Sequence, residues 1–232
     1  MKKFMALLLV AGMTLSLTAC GGSTDTAKTD QADGKDTFTV GFDQDFPPFG
    51  YVGDDGEFTG FDIEMATECA ARMGKKIVLQ PIDWDAKDME LEAGTIDCIW
   101  NGFTMNGRED QYTWTDPYMD NSQVVVVKKD SGINTLADLA GKVVEVQKES
   151  AAETALNDEE HADLMASFAQ LLSVGEYNTA FMDLESGAVD AVAIDIGVAQ
   201  FQIEGKEDQY QILDETISSE QYAVGFFLGN TV

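Results

Sequence analysis

Histidine occurs once in these 232 residues, and 14 basic residues stand against 42 acidic ones. The single histidine, His161, follows Asp158-Glu159-Glu160, a run typical of a solvated face, so neither a Ser-His-Asp nor a Cys-His arrangement can be built. The formal charge of -28 argues against nucleic acid as a partner, because its phosphates would be repelled. The acidity is spread along the chain and fits a soluble surface facing the outside of a cell. The three cysteines form no CxxC or Cys/His spacing, which leaves a zinc site without ligands. No phosphate loop or dinucleotide glycine pattern is present, and Asp54-Asp55-Gly56 lacks the alternating oxygen ligands of a calcium loop. Neighbouring acids are numerous, but among 42 such residues chance pairs are expected, so carboxylate catalysis gains no specific support. What remains is a chain 44% hydrophobic and 9% aromatic, enough to bury the core of one or two domains.

The longest apolar run, Phe4 to Leu17, follows Lys2 and Lys3 and falls short of the about 20 residues of a membrane-spanning helix. It reads as an export signal. Leu17-Thr18-Ala19-Cys20 resembles the bacterial lipobox, which predicts a signal peptide over residues 1–19 and a lipid on Cys20. A plain secretory signal with an incidental cysteine is the simpler alternative. Residues 20–36, rich in Gly, Ser, Thr, Asp, Lys and Ala and without apolar periodicity, read as a flexible tether. A disulfide between Cys69 and Cys98 is open in an extracellular setting, but their helix-stripe and strand contexts favour small buried thiols.

Leu91-Glu92-Ala93-Gly94-Thr95-Ile96-Asp97 and Leu184-Glu185-Ser186-Gly187-Ala188-Val189-Asp190 state one helix-to-strand junction twice, which predicts two similar lobes. Around the first copy, strands are expected at Thr37 to Phe42, Lys76 to Gln80 and Ile96 to Trp100, with a hairpin from Tyr51 to Thr59. A helix is expected from Phe61, its apolar face running Phe61, Met65, Cys69, Met73 with Ala66 and Ala70 beside them. This is a βαβαβ unit with a parallel sheet. Around the second copy come the β-branched run Val124 to Val127, a short helical stretch from Leu136 to Leu139, strands at Val143 to Gln147, Gln170 to Val174 and Ala191 to Ile194, and a helix from Thr179 to Glu185. Ser150 is placed to cap a helix. Tyr222 to Leu228 reads as a strand returning to the first lobe, so the chain crosses between lobes twice.

Arg108 is one of two arginines, the other being Arg72. Its fork matches a carboxylate with two parallel hydrogen bonds, and Asn101-Gly102-Phe103-Thr104 lies at a strand's carboxyl end where backbone N–H groups can join it. An ordinary surface ion pair is the alternative. Phe46 and Trp84 follow strands in loops, where rings line a cleft about as readily as they fill a core. Asp195 ends a strand of the second lobe. A cation from one lobe and an anion from the other can hold a zwitterion between them.

These residues resemble the polar amino acid binding proteins of bacterial ABC importers, the family 3 solute-binding lipoproteins. The resemblance runs from Thr37 to about Asn230. It is carried by Val40-Gly41-Phe42-Asp43 with Pro48-Phe49, Gly60-Phe61-Asp62, Asp83-Trp84, the first junction, Thr104 with Arg108, Asp116-Pro117-Tyr118, Leu136 through Lys142, and Gly187 through Asp190 to Asp195. It implies a two-lobed α/β periplasmic-binding-protein-like fold of type II, each lobe a mainly parallel sheet flanked by helices. It further implies that Arg108 clamps a ligand α-carboxylate with the backbone of Gly102 and Thr104 and the Thr104 hydroxyl. Ser150 and Ala151 add N–H donors, and Asp195 takes the α-ammonium. Phe46 and Trp84 sandwich the side chain, whose polar end Asp43, Asn101 and Gln147 read.

Three features depart from the family pattern. Thr104 to Arg108 is one residue shorter than Thr-x-Thr-x-x-Arg, with Asn106 the candidate to replace the second threonine. Glu149 stands where a glycine is usual. The chain stops at Val232, where relatives continue into helices that pack on the first lobe. The expectation is lobe 1 over residues 37–122, lobe 2 over 123–218 and a return over 219–232. As a monomer held to the membrane through its lipid, the protein would bind a polar amino acid without metal or cofactor and hand it to a membrane permease. The alternatives are a dehydratase of prephenate-like acids on the same fold, or an amino acid sensor.

Overall fold

The computed structural model describes residues 36–230. The expected signal, Cys20 and the tether up to residue 35 lie outside the described residues. The first sheet runs, edge to edge, Lys76–Pro81, Thr37–Phe42, Cys98–Ile99, Gly225–Phe226, Thr113–Trp114. Its first three strands are parallel, and Gly225–Phe226 runs antiparallel to both of its neighbours. The second sheet runs Gln170–Val174, Val143–Gln147, Ala191–Asp195, Met119–Lys128, Tyr210–Ile212, with Ser218–Tyr222 also paired to Met119–Lys128. Asp45–Phe46, Gly50–Val52 and Phe58–Thr59 form a small third sheet that contains the expected hairpin.

Val124 to Val127 form an unbroken apolar run because this strand is covered on both faces. Val124 and Val126 pack with Tyr177, Leu184 and Ile194, whereas Val125 and Val127 pack with Leu139, Ala152 and Leu156. Both repeated junctions have the geometry their glycines require. Lys87–Ala93 ends at Gly94 (φ 70°) and Tyr177–Ser186 at Gly187 (φ 81°), left-handed positions that a side chain would strain. In each, the glycine N–H and the next N–H turn back onto the last helical turn, Gly94 to Leu91 and Thr95 to Glu90, Gly187 to Leu184 and Ala188 to Asp183.

Two backbone passages join the lobes side by side, with Thr115 N–H donating to the Val224 carbonyl (3.1 Å) and Tyr118 N–H to that of Tyr222 (2.9 Å). The expected return strand divides here. Ser218–Tyr222 belongs to the second sheet and only Gly225–Phe226 to the first.

In the helix Phe61–Arg72 the middle of the expected face, Met65, Ala66, Cys69 and Ala70, packs on the sheet, but its two ends do not. Its buried residues are Asp62, Ile63, Ala66 and Ala70, while Phe61 and Met73 are 44% and 46% exposed. The two alanines bring the helix close to its sheet, and Asp62 is drawn inward by hydrogen bonds described below. The strand expected over Ile96 to Trp100 shrinks to Cys98–Ile99. The helix Ile196–Ile203 was not expected, since its apolar residues continue the preceding strand without a break in pattern. Cys69 and Cys98 are free thiols. Among the described residues, no helix is long and apolar enough to cross a membrane, and no group of three His, Cys, Asp or Glu is placed to hold a metal ion.

Candidate functional site

Phe46, Trp84, Asn101, Gly102, Thr104 and Arg108 from the first lobe face Gln147, Ser150, Ala151 and Asp195 from the second across one narrow cleft. Arg108 and Asp195 are its only charged lining residues.

On the first lobe the loop after Cys98–Ile99 is held from behind. Asp62 Oδ2 accepts the Gly102 N–H (2.6 Å) and the Tyr118 hydroxyl (2.9 Å), and burial pushes its carboxyl up to about 7. Gly102 takes φ 56°, and a Cβ there would lie 2.9 Å from the Phe46 ring and 3.1 Å from that of Tyr222. Only glycine lets this backbone approach both rings. Its N–H is committed to Asp62, so the help expected from the Gly102 N–H for a ligand carboxylate is not what this loop offers.

Arg108 lies over the Phe103 ring at 5.4 Å and donates to the carbonyls of Thr104 (3.2 Å) and Glu149 (3.4 Å), the second bond crossing between lobes. Asn106, the candidate to replace the missing threonine, is not part of the cleft lining. It is exposed, and its Oδ1 accepts the N–H of Gln221 (2.7 Å). Trp84 packs edge-on against Phe103, and the buried Lys87 ammonium lies 5.4 Å from the Trp84 ring and 3.9 Å from Glu149. Burial lowers the Lys87 pKa from its ordinary value.

On the second lobe, Ser150 caps the helix Ala151–Leu156 as expected, its hydroxyl accepting from Glu153 N–H (3.1 Å). The Ser150 N–H donates to the Gln147 carbonyl (3.2 Å), which leaves Ala151 as the first free donor of that helix.

Strand register explains the surroundings of Asp195. Asp195 and Ser218 lie opposite Gln123 on either side of the central strand, and Glu220 lies opposite Asn121. Because side chains alternate along a strand, these groups share one face. Asp195 Oδ1 accepts from Asn121 Nδ2 (2.7 Å), Gln123 Nε2 (2.7 Å) and the Tyr222 hydroxyl (2.6 Å). Glu220 Oε1 accepts from the same two amides and from the Thr104 hydroxyl, each at 2.7 Å. The Thr104 hydroxyl therefore serves a carboxylate of the protein. Burial, then the charge of Glu220, raises the Asp195 pKa above the usual carboxylate range. Sequence reasoning missed Glu220, Asn121, Gln123 and Asp62. Only the i, i+2 spacing of Asn121 and Gln123 ahead of the valine run carries a local signal.

Asp43 is placed outside the cleft lining. Its Oδ1 accepts the Asp45 N–H (2.8 Å) and its Oδ2 accepts Gln147 Nε2 (2.6 Å), a bond from one lobe to the other. Burial raises its carboxyl to about 6. Two further pairs cross nearby, Lys148 to Asp85 (2.7 Å) and Asn178 to Asp45 (2.8 Å).

The model of the bacterial extracellular solute-binding proteins, family 3, matches residues 38–180. This chain belongs to that family. As a family 3 protein it is an extracytoplasmic solute-binding protein and not an enzyme. It is 30% identical to the L-cystine-binding protein TcyJ of Escherichia coli (strain K12) over 229 residues, 97% of this chain and 82% of TcyJ. The arginine-binding extracellular protein ArtP of Bacillus subtilis is 36% identical over 148 residues, 63% of this chain and 56% of ArtP. Among solved structures, an ABC uptake transporter substrate-binding protein from Streptococcus pneumoniae with bound histidine matches with TM-score 0.78 and 34% identity, over 83% of this chain and 80% of that one. An ancestral arginine-binding protein bound to glutamine matches with TM-score 0.75 and 34% identity, over 84% and 86%. The fold of this family 3 protein is thus the two-lobed type II arrangement.

Proposed function

We propose that this protein captures one α-amino acid in the interlobe cleft and delivers it to the membrane permease of an ABC importer. The observation that carries this reading is the cleft's charge pattern, one arginine from the first lobe and one aspartate from the second in an otherwise uncharged lining. Arg108 and the N–H of Ala151 would bind the α-carboxylate, and Asp195 the α-ammonium. Phe46 and Trp84 would flank the side chain. Because these partners come from different lobes, the ligand strengthens closure, and the permease reads the closed shape. Relatives whose names specify cystine or arginine support the ligand class. In the same reading residues 1–19 are removed on export, Cys20 carries the lipid, and a monomer works at the end of its tether.

The test is calorimetric titration of the chain with each common amino acid, repeated on Arg108→Ala and Asp195→Asn. Each substitution is expected to weaken binding by at least about 100-fold, the effect of removing one charged, hydrogen-bonded partner. If both variants bind as tightly as the parent, the cleft is not the site.

A further inference from the structure

Once Arg108 and Asp195 are assigned to the two charges of the amino acid backbone, every other lining residue is uncharged. The carboxylate that sequence alone places at the side-chain end, Asp43, has both oxygens occupied from within the protein, by Asp45 N–H and by Gln147 Nε2. Gln147 Nε2 also donates to the Gly175 carbonyl (2.9 Å), so both of its N–H groups are used. That leaves Gln147 Oε1, which accepts no hydrogen bond among the described residues. On the other lobe, Asn101 Oδ1 accepts the Asp43 N–H (3.0 Å), while Asn101 Nδ2 is buried without a partner. These partners fix the orientation of both amides, since a flipped Gln147 would turn its oxygen toward a carboxylate and a flipped Asn101 would turn its NH2 toward an N–H. Two residues of the lining thus carry one free acceptor and one buried free donor, while the neighbouring carboxylate of Asp43 is already bound.

We infer that the preferred ligand is an α-amino acid with an uncharged side chain ending in a carboxamide, and that Gln147 sets this preference by masking Asp43. A carboxamide offers an oxygen to Asn101 Nδ2 and N–H groups to Gln147 Oε1. A guanidinium or ammonium would leave Asn101 Nδ2 unpaired and facing a cation. A side-chain carboxylate would meet Gln147 Oε1 with Asp43 behind it. Unpaired buried groups of this kind make a polar site discriminate strongly. This inference rests on the amino acid reading of the cleft.

Calorimetric titration of the chain with L-glutamine, L-asparagine, L-glutamate, L-arginine, L-lysine and L-leucine tests it. The better of the two carboxamides is expected to bind at least about tenfold more tightly than any of the other four. Equal or tighter binding of arginine, lysine, glutamate or leucine overturns the inference while leaving the amino acid reading intact. Binding of none of the common amino acids by a chain that unfolds cooperatively overturns both. In Gln147→Ala, which uncovers Asp43, the ratio of arginine to glutamine affinity is expected to rise by at least about tenfold. A ratio cancels any general loosening of closure, so an unchanged ratio in the folded variant removes Gln147 as the determinant.

Discussion

Glu149 is the one non-glycine residue among the described ones with a left-handed backbone, φ 60°. That conformation costs an ordinary residue about 1–2 kcal/mol, which gives a physical reason for the glycine usual at this position in the family. Here it is held by the Glu149 N–H on Glu153 Oε2 (2.7 Å) and by its carbonyl under Arg108. The half-exposed carboxylate lies 3.9 Å from the buried Lys87 ammonium, too far for a hydrogen bond. Glu149→Gly is therefore expected to raise unfolding free energy by up to about 1 kcal/mol in urea titration; a clear loss would show that the Lys87 contact outweighs the strain. Asp62 makes the opposite case. Removing its side chain leaves the Gly102 N–H and Tyr118 hydroxyl without their acceptor. Asp62→Ala should lower stability by about 2–3 kcal/mol and weaken ligand binding, because the loop carrying Asn101 and Thr104 loses its anchor. Neither role was legible from residue type. Arg108 and Asp195 stood out because arginine is scarce and because Asp195 follows a repeated junction, whereas Glu220 is one acid among 42 and becomes distinctive only through register.

At the scale of elements, local signals were legible wherever the chain ends one structure and begins another. Gly94 and Gly187, the Ser150 cap and the strands Val143–Gln147 and Gln170–Val174 all follow from short-range rules. What was not legible depends on distant partners: the burial of Asp62 on Phe61–Arg72, set by Gly102, and the helix Ile196–Ile203, whose apolar residues read equally as strand. The two kinds of glycine can be separated by experiment. At Gly94 a Cβ would meet nothing within 4 Å, and at Gly187 only the Lys128 ammonium at 3.8 Å, so alanine there should cost about 1 kcal/mol of backbone strain and leave ligand affinity unchanged. At Gly102 the Cβ would also press on Phe46 and Tyr222. Gly102→Ala is expected to lose more stability than either junction variant, by thermal unfolding, and to weaken ligand binding as well. Equal losses at all three positions would mean that the cleft rings yield freely.

At the scale of the whole molecule, folding buries the carboxylates of Asp43, Asp62, Asp195 and Glu220 in an already acidic chain. Asp43 and Asp62 have their pKa values raised by burial to about 6 and about 7, and Asp195 is raised by burial and by Glu220. An acid whose folded pKa is raised holds its proton in the folded state after the unfolded chain has released it, so its stability contribution is complete below the ordinary value of 3.8 and is lost as pH rises through the folded value. Exposed Asp85 and Asp138 are shifted down by hydrogen bonds, so their contributions vanish only below the ordinary carboxylate range. The protein alone should therefore melt at the highest temperature near about pH 4 and progressively lower toward about pH 7. Binding of an ammonium at Asp195 favours the ionised carboxylate and opposes that loss. The ligand-induced rise in melting temperature should consequently grow from about pH 5 to about pH 8, and Glu220→Gln, which removes the neighbouring negative charge, should flatten the growth. Scanning fluorimetry from about pH 4 to about pH 8 with and without saturating ligand reads both quantities. A ligand shift that is independent of pH in the parent protein would separate Asp195 from the ammonium, whatever the affinity.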